Sequence, residues 1–153
     1  MRVVIDSNVL ARATPGKSSA AREVLLLLTS APHTLITAIA LLTELARILQ
    51  YPRLRALHGL DDAGIQGFLH SVQTGALIVA PASPAPIQTQ DPDDDLVIAT
   101  AVAGQGDAIC TRDRHLFHPS IKAGCAAYGL RIFNEVDLLR ELRALALPQP
   151  GTP

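Results

Sequence analysis

Short, β-branched apolar runs alternate along this chain with longer segments whose apolar residues recur every three to four positions, and that alternation restricts the possible folds severely. Residues 2–6 read as a buried strand, and a second apolar run, Leu35-Ile36, is closed by the β-branched Thr37. Further strands are expected near 76–80, 107–111 and 130–133, with helices at about 19–30, 38–50, 61–73, 94–103 and 135–146. Strands that alternate with helices imply an α/β fold with a mostly parallel sheet of about five strands, covered on both faces.

At 153 residues with 48% hydrophobic residues, the chain fits one compact domain, expected to span residues 1–147. The last six residues, Pro148 to Pro153, contain three Pro and one Gly, which predicts a disordered tail. Pro81, Pro84, Pro86 and Pro92 make residues 81–92 a stiff surface connection rather than a domain linker. Aromatic residues amount to only 3%, which argues against a base-stacking platform for nucleic acid.

The formal charge of -1 shows no bulk attraction for polyanions, yet all the basic residues except Lys17 and Lys122 are Arg, whose planar fork pairs with phosphate or carboxylate. Two cysteines, Cys110 and Cys125, form neither a disulfide framework nor a paired zinc motif, which suits a reducing cytoplasm. The longest apolar stretches, such as Leu35 to Leu42, are too short to span a bilayer, and Asp6 falls where a signal peptide needs apolar residues. A soluble, cytoplasmic protein with no membrane partner is the expectation.

Carboxylates stand at the margins of the apolar runs: Asp6 follows Val3-Val4-Ile5, Asp95 precedes Leu96-Val97-Ile98, and Asp113 lies just past Ala108-Ile109-Cys110-Thr111. A carboxylate there loses hydration, so it takes up a proton, finds a hydrogen-bonded partner or binds a cation. In a parallel sheet, residues beyond the C-terminal ends of strands face the crevice where ligands bind, and both Asp6 and Asp113 hold that position. Each could instead cap the turn that follows it. Within Asp93-Asp94-Asp95, Asp95 shares a helical face with Ile98, Ala99 and Val102, so Asp95 is expected to face inward and Asp93 and Asp94 to point away. Glu44 falls at the edge of the stripe Leu41, Leu42, Leu45, Ile48 and Leu49, open either to the core margin or to a surface pair with Arg47.

His115 and His118 have the i, i+3 spacing of a transition-metal pair, but with Pro119 following they read as solvated histidines on an exposed loop. No glycine-rich phosphate loop follows the first strand. Gly104 is expected to end its helix in the left-handed conformation, with Asp107 capping or solvating the turn.

Taken together, Val4-Ile5-Asp6-Ser7-Asn8, Leu42-Thr43-Glu44-Leu45, Asp91-Pro92-Asp93-Asp94-Asp95 and Thr111-Arg112-Asp113 resemble the PIN domain family over roughly residues 2–135. The Asp-Pro-x-Asp-Asp element is similar to PIN proteins that serve as toxins of bacterial type II toxin–antitoxin systems. The resemblance implies a three-layer α/β/α sandwich whose acids, Asp6, Glu44, Asp95 and Asp113, hold Mg²⁺ or Mn²⁺ and cleave RNA. It further implies Asn8, Thr111 and Arg112 as substrate-contacting neighbours, a small antitoxin as partner, and a homodimer. Arg112 stands where relatives often carry Gly, and His115 where an acid or amide is common. If Arg112 folds over the pocket, it either neutralises Asp113 or clamps a phosphate. The competing expectation is a non-catalytic PIN-like module that binds RNA or protein.

Overall fold

In the computed structural model, which describes residues 1–146, the five expected strands form one sheet. They are β1 (Arg2–Ile5), β2 (Thr34–Thr37), β3 (Ala76–Ile78), β4 (Ala108–Cys110) and β5 (Arg131–Phe133), all parallel, in the spatial order β3-β2-β1-β4-β5. Eight helices accompany them: α1 (Ser7–Leu10), α2 (Ala20–Leu28), α3 (Ile39–Leu49), α4 (Pro52–His58), α5 (Asp62–Gly75), α6 (Pro92–Ala103), α7 (Pro119–Ala127) and α8 (Glu135–Ala146). The tail expected at Pro148–Pro153 lies outside the described residues. No helix among the described residues is long and apolar enough to cross a membrane.

Alternation along each strand divides the interior into two cores. Val3, Ile5, Leu35, Ala108 and Cys110 pack with buried residues of α1, α2, α3, α5 and α8. Val4, Ile36 and Ile109 point the other way, onto Val97, Ile98 and Ala101 of α6 and Cys125 of α7. With helices on both faces, residues 3–5, 35–37 and 108–110 of the central strands are all buried, which is why those strands read as apolar runs.

Three helices carry no apolar periodicity and escape a sequence reading. Helix α1 is only four residues long, α4 has no buried residue, and α7 buries Cys125 alone. The segment read as a loop around His118 in fact starts α7: Pro119 occupies the first turn, and His118 Nδ1 accepts from the Ser120 amide at 3.4 Å.

The turn after α6 also differs from expectation. Gly104 has φ of -83°, and Gln105, at +50°, is the residue in the left-handed region. Glycine is needed at 104 for space: a Cβ there would lie 2.5 Å from Cγ2 and 2.8 Å from Cδ1 of Ile36. Asp107 then closes the turn onto β1, its Oδ2 accepting from the Arg2 amide at 2.7 Å. Gly104→Ala is therefore expected to destabilise the protein by about 1–3 kcal/mol through overpacking, read as a lower urea midpoint. Adding Ile36→Val should recover part of the loss, and an unchanged midpoint in Gly104→Ala would show that the contact is relieved without cost.

Candidate metal centre

The chain runs from β1 outward to β2 and β3, then returns through α6 to β4 on the other side of β1. The strand order thus reverses between β1 and β4, and a crevice opens at their C-terminal ends. Asp6 leaves β1 at that point and Thr111 leaves β4. Asp6 Oδ2 accepts from the Thr111 hydroxyl at 2.8 Å, and Oδ1 accepts from the Asn8 amide at 3.3 Å. Capping and placement in the crevice are therefore compatible for Asp6, one oxygen serving each. Asp113 is similar: its Oδ1 accepts from the His115 amide at 2.9 Å and lies 3.3 Å from His115 Nδ1.

Thr111 is fully buried, and its Oγ1 also accepts from the Asp113 amide at 3.0 Å. Thr111, expected as a substrate-contacting neighbour, has its hydroxyl enclosed between the Asp6 carboxylate and the Asp113 backbone amide and bonded to both. Asn8 is exposed at the rim.

The third acid differs from the expectation that Asp95 faces inward and Asp94 points away. Asp94 is only 5% exposed, whereas Asp95 is half-buried and its Oδ1 accepts from the Thr89 amide at 2.5 Å, pinning the proline-rich connection. The physical reason is that α6 is buried over most of its circumference, so a single apolar stripe does not define its inward face. Ile98 and Ala99 are buried below Asp95, but Val102 is only partly so. Val97, Ile98 and Ala101, at i+3, i+4 and i+7 from Asp94, all belong to the core. Asp91 caps the helix by accepting from the Asp93 amide at 2.9 Å, with Pro92 in the first turn.

Glu44, half-buried on α3, accepts from the Ser7 hydroxyl at 2.8 Å, while Arg47 donates to the Tyr51 hydroxyl at 3.0 Å. Arg112 does not fold over Asp113. Its Nε lies 3.5 Å from Glu135 Oε1, an oxygen that also faces Arg12 Nε at 3.9 Å.

Ligand-capable atoms of Asp94, Asp113 and His115 lie within 4.8 Å of one another, and Asp94 Oδ2 is buried without a hydrogen-bond partner. Asp6 and Glu44 stand outside that tight group but are coupled to it electrostatically. Burial is the main cause that pushes the Asp6 carboxyl up; hydrogen bonds from Thr111 and Asn8 oppose it, and Asp113 and Asp93 add to it. Glu44 is raised by burial, against the Ser7 hydrogen bond, with further contributions from Asp93 and Asp6. Asp94 is pushed up to about 6, by burial first and then by Asp113, Asp91 and Asp6. An orphaned buried carboxylate oxygen amid mutually repelling acids suits a hard divalent cation, which favours oxygen ligands and keeps part of its water shell. His115 went unrecognised as part of this group, since nothing in the i, i+3 histidine spacing indicates two acids brought in by other elements.

Beside the acids an open cleft of about 700 Å³ runs between the proline-rich connection and α7. Asp94 and His115 line it, together with Gln88, Gln90, Arg114 and His118.

The raised Asp94 pKa fixes a sign. In the folded chain Asp94 keeps its proton up to about pH 6, against 3.8 for the ordinary group, so its contribution to stability is full below about pH 4 and lost as pH rises through 6. With divalent cations chelated, Asp94→Asn is expected to be more stable than wild type by about 1–3 kcal/mol at pH 7.5. That advantage should vanish at pH 4. Urea titrations at both pH values test this, and an equal advantage at both would contradict it.

A PIN domain family profile matches residues 2–115, well over half of the chain, and the match takes in Asp6, Glu44, Asp94 and Asp113. None of the curated proteins compared with the chain matches it. With four of the five parallel strands and the acids at the switch point on the same segment, the chain belongs to the PIN domain family, whose members are generally metal-dependent nucleases.

Proposed function

We propose that this protein is a metal-dependent ribonuclease that hydrolyses RNA phosphodiester bonds, with Asp94 rather than Asp95 as the acid supplied by α6. The observation that carries the reading is that Asp94, buried with its Oδ2 unpartnered, is grouped with Asp113 at the mouth of the β1/β4 crevice. Asp94, Asp113 and Asp6 would hold Mg²⁺ or Mn²⁺. When bound, such an ion supplies an acidified water and neutralises charge developing on the phosphate.

Glu44 orients the attacking water and accepts its proton, in a carboxylate steadied by Ser7 and made more basic by burial. The water oxygen bonds to phosphorus as the bridging P–O bond breaks, and the departing oxygen takes a proton from solvent water, giving one phosphate monoester end and one hydroxyl end. Thr111 keeps Asp6 and Asp113 aligned during this exchange. The cleft accommodates the RNA strand, with Arg114 for a phosphate and the Gln88 and Gln90 amides for base edges. Arg112, turned to Glu135, leaves the Asp113 charge available and sits at the rim with Arg12 and Asn8, which supports turnover over a purely binding role.

The finer part of the proposal is that the enzyme is the toxin of a type II pair, dimeric and restrained by a small antitoxin. The Asp91-to-Asp95 element supports the toxin assignment. Exposed Leu77 and Ile78 on the edge strand β3, with exposed Ile39 at the start of α3 beside Ile78, support an apolar contact with a second copy.

Asp6→Asn and Asp94→Asn are each expected to reduce Mn²⁺- or Mg²⁺-dependent RNA cleavage by more than the ~10–100-fold loss typical of a supporting group. Asp95→Asn should retain most activity, and chelation by EDTA should abolish it. Cleavage that persists in Asp94→Asn and fails in Asp95→Asn would reverse the assignment. Expression of the wild-type chain in a bacterial host should arrest growth, and Asp94→Asn should not.

A further inference from the structure

The tight group at the cleft contains an imidazole as well as two carboxylates, and this departs from an all-oxygen site. His115 Nδ1 lies 3.3 Å from Asp113 Oδ1, ligand-capable atoms of both residues and of Asp94 lie within 4.8 Å of one another, Asp94 Oδ2 is buried without a partner, and the His115 side chain is 83% exposed. Exposure leaves the ring free to turn toward a cation held by the two acids. Solvent screens an ion pair whose imidazole is this exposed, so the pairing with Asp113 does little to hold the ring against a better ligand.

Ligand chemistry then separates the candidate cations. Mg²⁺ binds oxygen, demands near-octahedral geometry and gains little from an imidazole. First-row transition dications accept imidazole nitrogen readily. We propose that His115 is a direct metal ligand and that it makes this centre selective for Mn²⁺ and related transition dications over Mg²⁺. The proposal rests on the reading of Asp94 and Asp113 as metal-holding acids and adds to it the nitrogen that sets the preference. His118, also in the cleft, provides a control: its Nδ1 is engaged with the Ser120 hydroxyl at 2.8 Å and it is no part of the tight group.

The test is binding to the full chain, with Mn²⁺ and Mg²⁺ themselves as probes. Mn²⁺ affinity is measured by electron paramagnetic resonance of the free ion, Mg²⁺ affinity by competition, and nitrogen coordination by pulsed resonance coupling of bound Mn²⁺ to ¹⁴N. The wild type should bind Mn²⁺ more tightly than Mg²⁺ and show a directly coordinated nitrogen. His115→Ala and His115→Gln should lose the nitrogen signal and weaken Mn²⁺ binding by about 10–100-fold, while Mg²⁺ binding changes by less than about 3-fold. His118→Ala should retain the signal. Loss of affinity for both ions alike in the His115 variants, or a wild type with no nitrogen coupling, overturns the proposal while leaving the acid-held metal site intact. A wild type that binds neither ion overturns the metal reading itself, and this proposal with it.

Discussion

One hydrogen bond, from the Thr111 hydroxyl to Asp6, ties together the two strands on which the centre is built. It spans the point where the sheet order reverses, is fully enclosed, and uses a residue that also receives the Asp113 amide. Without it, Asp6 would lie buried at the end of β1 with one oxygen unsatisfied, a loss of about 1–3 kcal/mol and more for a charged group. With it, two acids from opposite halves of the chain are set before any ligand arrives.

The rest of the arrangement follows from distributing repulsion. Burial and mutual charge raise Asp6, Glu44 and Asp94 together, so the folded chain holds a region of negative charge that it does not neutralise internally. Arginines do stand nearby, but two of them are diverted: Arg12 and Arg112 share the buried Glu135 carboxylate. That diversion keeps positive charge at the rim, where an incoming phosphate would meet it, and out of the acids' own space. A direct Arg–Asp pair inside the crevice would compete with any cation for the same oxygens.

Much of this was legible in the sequence, for a physical reason. The strands are buried on both faces, so Val3-Val4-Ile5 and Ala108-Ile109-Cys110 stand out as runs, and the acids at their ends stand out as breaks. Asp6 and Asp113 could be placed from that alone. The position of Asp94 could not be read by stripe matching, since Val97 through Ala101 are all buried and leave no polar side to orient the helix. Counting which candidate had three core residues below it would have favoured Asp94, but only with knowledge that Val102 is less buried than Ala101. Helices α4 and α7 were missed because they bury almost nothing, and His115 because its neighbours are distant in sequence.

The family match stops at His115, yet the fold does not. Strand β5 completes the ladder along β4, the Thr111 amide donates to the Phe133 carbonyl at 2.9 Å, and α8 packs on α2 with Arg143 paired to Glu23. The shared signature and the sheet are therefore different lengths. A piece cut at the edge of the signature would carry every acid of the centre on a sheet with one raw flank, inviting strand-to-strand association between copies.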